Sequence, residues 1–332
     1  MKYTPIENIK ENDILAMSIF NDDCNILLAA NSRLSATNIQ RIKDLRFRGL
    51  YIYDDSTDSV NIDLLSDSVR QNTLKSLKHI NIDDCLYIAN TITNNIIENP
   101  GVLYELTTIC SYDTRTYMHC INTALLSTMI GVDMGLSNTE LYELSQSALL
   151  HDIGKTCIDE RILNKDGKLT TSEYRMMQQH VNFGYNMLRN NDNISKKVAE
   201  GVKYHHENED GSGYPCGLKS DKIPLFAKII HVADVYDAMI SKRSYKKRIN
   251  PADVLEYLMG NARTLDINVV NSLTHCVALY PAGSTVMLST GETATVIKNE
   301  NGYPQRPEIK LEDGTYIKLM TTLNITITDL LI

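Results

Sequence analysis

The spacing of hydrophobic and polar positions changes twice along the chain. The first change, near residue 60, ends a short segment in which strand and helix patterns are mixed. Apolar runs at 14–16 and 26–28 lie on either side of a polar turn, which predicts a β-hairpin. Ser35 is then placed to cap a helix, and the run at 51–53 predicts a further strand. Residues 1–60 are therefore predicted to form a small α+β domain.

From about residue 61 the apolar positions recur with the period of an α-helix. One clear stripe, at relative positions i, i+3, i+7 and i+8, consists of Leu141, Leu144, Ala148 and Leu149. Comparable stripes continue, with few residues that break helices, to about residue 280. This pattern predicts a helical linker over 61–100 and an all-helical domain over 101–280.

The last segment, 281–332, changes to short runs rich in β-branched residues at 293–297 and 324–328. Asp313-Gly314 lies between two short apolar runs, which is a strong local signal for a hairpin. These features predict a small antiparallel β module. The fold class is therefore expected to be mainly α, with an all-helical domain flanked by an N-terminal α+β segment and a C-terminal β module.

Composition narrows the class of protein. The 332 residues include 33 Lys and Arg against 41 Asp and Glu, a net charge of −8 that argues against binding of a nucleic acid polymer. The seven cysteines are scattered and odd in number, which is typical of free thiols in a reducing compartment. We see no secretory signal and no stretch near the roughly 18 apolar residues of a spanning helix. We therefore expect a cytoplasmic protein without a membrane span.

Histidine placement gives the first indication of chemistry. Two adjacent pairs, His151-Asp152 and His205-His206, each follow a helical stretch and precede glycines. Neighbours on a helix point about 100° apart, so such pairs are expected at helix ends or in a site with two centres. A single histidine is more often an ordinary core or surface residue, but imidazoles combined with carboxylates are suitable ligands for Fe, Mn or Zn.

Asp234 adds a carboxylate on an otherwise apolar helical stretch, where it needs a partner. Asp237, about one turn further on, is interpreted equally well as support for a ligand or as an exposed aspartate. His231 is balanced between orienting Asp234 and lying half-buried at the surface. His79 and His275 are expected to be structural or exposed.

Taken together, these residues closely resemble the motifs of the HD-GYP family. The order and spacing agree over about residues 105–280, through the motifs His151-Asp152-Ile153-Gly154-Lys155, His205-His206-Glu207, Gly213-Tyr214-Pro215, Asp234 and Arg243-Ser244-Tyr245-Lys246. That family is a branch of the HD phosphohydrolases whose members hydrolyse cyclic di-GMP. The resemblance implies a metal-dependent phosphodiesterase of bacterial second-messenger signalling.

The resemblance also implies roles for individual residues. Two divalent ions, with Fe or Mn favoured and Zn still allowed, are expected to be held by His119, His151, Asp152, His180, His205, His206 and Asp234. Asp152 would bridge the ions, and a hydroxide between them would attack phosphorus in line. Asp152 and Lys155 are the expected catalytic residues. Lys155, Arg243 and Lys246 are expected to contact the substrate, and Tyr214 either stacks on a guanine or packs its own loop.

Two positions depart from the family pattern. Arg115 stands four residues before His119, where members with three metals have a glutamate ligand. Because a cation does not ligate a metal, a site with two ions is favoured. Asn208 replaces a residue that is usually basic, and the sequence assigns it no role.

Three functions remain open from the sequence. The leading hypothesis is a cyclic di-GMP phosphodiesterase that releases linear pGpG or GMP. The ligands define the reaction better than the base, so an HD phosphohydrolase of another nucleotide is the second. The third is a regulatory module that senses a cyclic dinucleotide, or docks on a second copy or a signalling protein through the Gly-Tyr-Pro loop or the flanking domains. The complete ligand set argues against this third reading.

Overall fold

Helices dominate the structure, as the sequence predicts. The computed structural model describes residues 2–21, 23–45, 47, 49–53, 65–99, 101–103, 115–165, 167–241, 251–300 and 302–331. The α-helices are α1 (Ala36–Asp44), α2 (Asp67–Lys78), α3 (Ile82–Glu98), α4 (Arg115–Asp133), α5 (Asn138–Leu150), α6 (Glu160–Leu163), α7 (Thr171–Gln178), α8 (His180–Leu188), α9 (Lys196–Tyr204), α10 (Leu225–Ser241), α11 (Pro251–Gly260) and α12 (Ile267–Cys276). Short 3₁₀ helices lie at Ile153–Cys157 and Ser220–Lys222. The expectation of a mainly α fold is confirmed.

Side-chain caps fix where the helices around the later site begin. Ser137 starts α5 with a capping box, because its side chain accepts from the Glu140 amide and Glu140 accepts in return from the Ser137 amide. Thr170 and Glu173 form the same arrangement at the start of α7. Ser195 caps α9. These capping contacts explain why a serine or threonine stands directly before each of these helices.

The helix α4 lies at the centre of the helical domain and packs against α3, α5, α10 and α12. The 3₁₀ helix Ile153–Cys157 packs closely on α8. A Cβ at Gly154 would overlap the His180 carbonyl group, so only glycine allows this approach. The packing brings the end of α5 next to the start of α8.

The C-terminal module is an antiparallel sheet with strand order β8-β7-β6-β5-β9. Its strands are β5 (Thr285–Leu288), β6 (Thr293–Lys298), β7 (Glu308–Leu311), β8 (Tyr316–Lys318) and β9 (Ile327–Leu331). The Asp313-Gly314 turn joins β7 to β8 as predicted, with a φ of +91° at Gly314. The strand expected at 324–328 instead lies later, because β9 takes its register from pairing with β5.

The N-terminal segment contains two small antiparallel pairs. The strand β1 (Lys2–Pro5) pairs with β4 (Gly49–Ile52), and β2 (Ile19–Phe20) pairs with β3 (Ile26–Leu28). The first strand of the predicted hairpin, at 14–16, was therefore placed too early. In that stretch the residues form isolated bridges to two different parts of the chain, and pairing with β3 begins only at β2.

Two clusters of buried side chains form the interior. One belongs to the N-terminal segment and includes Leu15, Leu34 and Leu50. The larger cluster joins the helices to the sheet, since it includes both Leu144 and Val286. The domain boundaries at 60, 100 and 280 stay predictions. Among the described residues, no helix combines the length and the apolar character needed to cross a membrane.

Candidate metal centre

The candidate ligands come from five places in the helical domain, and several stand at helix ends. His119 lies in α4, and Asp234 lies in α10. The two adjacent pairs follow α5 and α9, with His151 and His205 at the C-cap positions, while His180 is the first residue of α8. Two adjacent residues inside a regular helix point about 100° apart, which makes it difficult for both to face one site. At a helix end the two neighbours need not keep this angle, so the arrangement allows both members of a pair to be ligands.

Three histidines are oriented by backbone carbonyls of the helices that end just before them or at them. His151, His180 and His205 each direct Nδ1 at the carbonyl oxygen three residues earlier, at 2.7 to 2.8 Å. A carbonyl only accepts, so each Nδ1 carries the proton and each Nε2 presents a lone pair. All three Nε2 atoms are buried and have no hydrogen-bond partner among the described residues, and the same holds for Asp152 Oδ1.

Such buried polar atoms without partners are costly, at about 1–3 kcal/mol each. The protonation states of the histidines also match those of metal ligands. Burial lowers the pKa of His180, His205 and His206, in the case of His206 to about 3, so these rings are neutral at neutral pH. The donor set therefore fits a metal centre.

Asp152 lies between two groups of ligands. Its Oδ2 is 3.4 Å from His151 Nε2, and its Oδ1 is 3.5 Å from His180 Nε2. The ligand atoms of each group lie within 4.8 Å of one another, and the groups are His119, His151 and Asp152, and His180, His205 and His206. A carboxylate whose two oxygens face different groups is suited to bridge two ions.

His119 lies between two carboxylates. Its Nε2 is 2.8 Å from Asp234 Oδ1 and its Nδ1 is 2.6 Å from Asp237 Oδ2, while Asn122 donates to the other Asp237 oxygen at 2.9 Å. Burial lowers the pKa of His119, but the hydrogen bonds to both carboxylates outweigh it and raise the pKa to about 10. His119 Nε2 and Asp234 share a proton in this arrangement. A metal cation would take the place of that proton between the two side chains.

Lys155 contacts Asp152 from the 3₁₀ helix Ile153–Cys157. Its Nζ lies 2.5 Å from Asp152 Oδ2, and its side chain is still 27% exposed. Burial opposes charge on both groups, yet their mutual attraction holds the pKa of Asp152 well below its usual range and raises that of Lys155. A charged ammonium group is thus available at the rim of the ligand cluster.

The segment with Gly213-Tyr214-Pro215 folds back over the second ligand group. The Tyr214 ring stacks on the His206 ring at 4.7 Å between centroids and an angle of 28°. Glu207 is buried, and its carboxylate accepts the backbone amides of Cys216 at 2.7 Å and Leu218 at 2.9 Å. Tyr214 is therefore held against His206, one of the candidate metal ligands.

The other residues for which the sequence suggested a role have different outcomes in the structure. Arg243 and Lys246 lie outside the described residues. Asp237 supports His119, and His231 makes a hydrogen bond to the backbone of Glu207. His275 lies at the end of α12, where its Nδ1 is 3.1 Å from Asp133.

The sequence reasoning did not identify Asn122 or Glu207. Asn122 lies three residues after His119, on nearly the same helix face, which was a usable signal. Glu207 directly follows the paired histidines, but its task depends on a turn of the later loop that sequence spacing does not reveal. His79 caps the end of α2 and is exposed, as expected.

Comparison with known families gives the site a context. A model of the HD domain matches residues 94–269, more than half of the chain. The chain belongs to the HD domain family. The match includes every candidate ligand from His119 to Asp234.

Two curated relatives are similar to this chain over part of its length. A cyclic di-GMP phosphodiesterase of Pseudomonas aeruginosa is 32% identical over 224 residues, which are 68% of this chain and 54% of that protein. A cyclic di-GMP phosphodiesterase of Thermotoga maritima is 39% identical over 183 residues, or 53% of this chain and 49% of that protein. The chain thus spans about half the length of the curated relatives that it matches.

A solved structure also resembles most of this chain. The HDG"Y"P protein from Bdellovibrio bacteriovorus matches with a TM-score of 0.53, over 82% of this chain and 97% of that chain. The sequence identity is 17%, so this likeness supports the fold alone. It agrees with the mainly α architecture expected from the sequence.

Proposed function

We propose that this HD domain protein is a metal-dependent phosphodiesterase that hydrolyses cyclic di-GMP. The observation that carries the proposal is a set of buried Nε2 atoms without hydrogen-bond partners, those of His151, His180 and His205. Two of them, on His151 and His180, face the two oxygens of Asp152 at 3.4 and 3.5 Å. The two curated relatives are cyclic di-GMP phosphodiesterases, which supports the choice of substrate. These relatives are longer proteins than the part that matches, and their activity is therefore proposed for this chain.

The seven ligands divide into two sets that share Asp152. One ion would be held by His119, His151, Asp152 and Asp234, and the other by Asp152, His180, His205 and His206. Two divalent ions supply Lewis-acid charge and a water of lowered pKa as the nucleophile. The nitrogen-rich, cysteine-free set favours Fe or Mn, and Zn is the alternative.

The chain's own residues bind and orient the phosphodiester. Lys155 lies at the rim of the ligand cluster, and its Nζ would donate to a non-bridging phosphate oxygen and balance charge there. Arg243 and Lys246 are proposed, from the family resemblance alone, to contact substrate, where a guanidinium offers a forked donor that a lysine lacks. The three orienting hydrogen bonds to helix carbonyls keep the ligand rings in place during binding.

A turnover assay combined with metal analysis tests the proposal. Protein purified without oxygen, then loaded with Mn²⁺ or Fe²⁺, is expected to bind two ions and to convert cyclic di-GMP to pGpG or GMP. Asp152→Asn should reduce turnover at least about 100-fold, because the bridging charge is lost. Asp159→Asn is the matched control, since Asp159 pairs with an exposed arginine and asparagine also caps helices.

The assay also separates the competing functions. Two bound ions with intact cyclic di-GMP would exclude the proposed substrate, and parallel reactions with a mixed cyclic dinucleotide and a phosphomonoester would then identify the class. If Asp152→Asn abolished hydrolysis but left the cellular phenotype unchanged, a regulatory docking role would be favoured. A homodimer, a signalling partner at the loop or flanking modules, and the cytoplasmic location stay predictions.

A further inference from the structure

The candidate ligand histidines differ in how their rings are held. His151, His180 and His205 are each fixed by the helix carbonyl three residues earlier, and His119 is fixed by Asp237. His206 is the exception, because its ring nitrogens make no hydrogen bond to any described residue. The terminal torsion of a histidine is broad, so another contact has to set the direction of this ring.

The rings of His180, His205 and His231 meet the His206 ring edge-on or tilted, and Tyr214 provides the stacked contact. Its ring lies parallel to the His206 imidazole, with 4.7 Å between the centroids. The Tyr214 amide also donates to the His206 carbonyl oxygen at 3.1 Å, so the tyrosine is tied to the residue on which it stacks. An offset aromatic stack of this kind contributes about 0.5–1.5 kcal/mol beyond simple burial.

The loop that carries Tyr214 is itself held rigidly. Both carboxylate oxygens of Glu207 accept amides from beyond the tyrosine, those of Cys216 and Leu218. These are charge-assisted bonds, and Glu207 is almost completely buried. A Cβ at Gly213 would overlap the backbone of the His206–Asn208 segment, so the loop packs on the ligand without a spacer.

We propose that the 207–218 loop is a positioning device for the metal ligand His206, with Tyr214 holding the imidazole and Glu207 holding the loop. This inference rests on the proposed function, because it takes His206 as a ligand. It assigns the tyrosine to the second ligand group and not to the substrate base. The first group, with His119, His151 and Asp234, has no contact with the tyrosine ring among those described, so loss of the stack should weaken one ion selectively.

Metal titration of loop variants tests the inference without using turnover. Mn²⁺ alone is added to chelator-treated wild type, Tyr214→Phe and Tyr214→Ala, and binding is followed by calorimetry. Wild type and Tyr214→Phe are expected to bind two ions with similar affinities, because phenylalanine keeps the stack. Tyr214→Ala should weaken one ion by about 10- to 100-fold, the range seen when support of a ligand is removed, and leave the other unchanged. Tyr87→Ala, which truncates an exposed tyrosine on α3, is the control.

Glu207→Gln extends the test to the loop. Glutamine has one acceptor oxygen where glutamate has two, so it should weaken the same ion by a smaller factor. Two ions bound by Tyr214→Ala with wild-type affinities, together with a raised KM, would overturn the proposal and make the tyrosine a substrate platform. Loss of both ions in Tyr214→Ala and Glu207→Gln would also overturn it, since the effect would not be selective. If wild type bound two ions but left cyclic di-GMP intact, the proposed function would fail while the loop inference stood.

Discussion

His119 differs from the other ligand histidines because a carboxylate supports it. Asp237 is buried, accepts from His119 Nδ1 and is held in turn by Asn122. A carboxylate behind a ligand imidazole fixes the tautomer and increases its basicity. The candidate metal centre therefore combines rings oriented by helix carbonyls, one oriented by a carboxylate and, in our proposal, one oriented by an aromatic stack.

Replacement of Asp237 should loosen the ion on the His119 side. We expect Asp237→Asn to reduce the affinity of one Mn²⁺ by about 10-fold, because a neutral amide orients Nδ1 less firmly. Asp133→Asn is a matched control, since Asp133, like Asp237, is a helical aspartate that pairs with a histidine, here the exposed His275. Calorimetric titration measures both affinities. Unchanged binding of both ions in Asp237→Asn would contradict the role given to this carboxylate.

Lys155 is expected to act on substrate and not on metal retention. Lys155→Gln should lower kcat/KM for cyclic di-GMP by about 100-fold, because one charged donor to the phosphate is removed, while both ions stay bound. Lys165→Gln serves as the control, since Lys165 pairs with Glu173 away from the ligands. Steady-state kinetics with metal analysis on the same sample measures both quantities. A normal kcat/KM in Lys155→Gln would remove the lysine from the mechanism.

Helix ends were more predictable than strand positions. The helical stretches before the two adjacent pairs, and the glycines after them, were sufficient to predict that His151 and His205 stand at helix ends, because capping and apolar periodicity are local properties. The hairpin strand was placed at 14–16 and the last strand at 324–328, and both were too early. The position of β9 depends on pairing with the distant strand β5, and residues 14 and 15 form bridges to residues 33 and 52, and a single sequence specifies neither.

The same distinction holds within the candidate site. The family resemblance implied His119 and the isolated His180 as ligands, and a lone carboxylate on an apolar helical stretch indicated Asp234. Their supports could not be predicted equally well, because Asp237 reaches His119 across two packed helices and Glu207 reaches amides nine and eleven residues ahead. Such contacts exist only once the chain has folded.

The start of α12 depends on an ion pair that should respond to pH. Asp266 caps the helix and lies 2.9 Å from Lys228, which also contacts Glu209. Burial raises the pKa of Asp266, but the hydrogen bond and charge of Lys228 outweigh it, so the pKa is lowered overall. The ion pair therefore gives its full stabilisation above the pKa of Asp266 in the unfolded chain, which is about 4. This stabilisation is lost as the pH falls through the lower pKa of Asp266 in the folded protein.

We expect Asp266→Asn to lower the free energy of unfolding by about 1–3 kcal/mol at pH 7, since asparagine keeps the cap and loses the charge pair. Asp266→Ala should cost about 1 kcal/mol more because the cap is lost as well. Urea unfolding in chelator at pH 7, pH 5 and about pH 3.5 measures these differences. The gap between wild type and Asp266→Asn should persist at pH 5 and shrink at the lowest pH, and a gap that grew in acid would contradict the assignment.

The whole molecule is acidic, yet its proposed substrate is an anion. Two divalent ions bring four positive charges to a site where Asp152 and Asp234 contribute two negative ones, and Lys155 adds a further positive charge. The net charge of −8 therefore does not describe the site when metal is bound. Metal and fold are also linked, because the main core extends from the ligand-bearing helices into the C-terminal sheet.

Metal should therefore stabilise the entire core against heat. Ions that bind only the folded chain contribute about 2.7 kcal/mol per independent site at 100 times their Kd, so Tm should rise when Mn²⁺ replaces chelator in a calorimetric scan. The physical reason is that Mn²⁺ gives partners to buried Nε2 atoms that lack them and screens Asp152 from Asp234. Mg²⁺ is the control ion, because it prefers oxygen ligands and retains its waters, and it should raise Tm much less. In Asp152→Asn the rise with Mn²⁺ should be strongly reduced. An identical Tm in Mn²⁺ and in chelator would show that the buried cluster is stable without a cation, and the unpaired ligand atoms would then need another explanation.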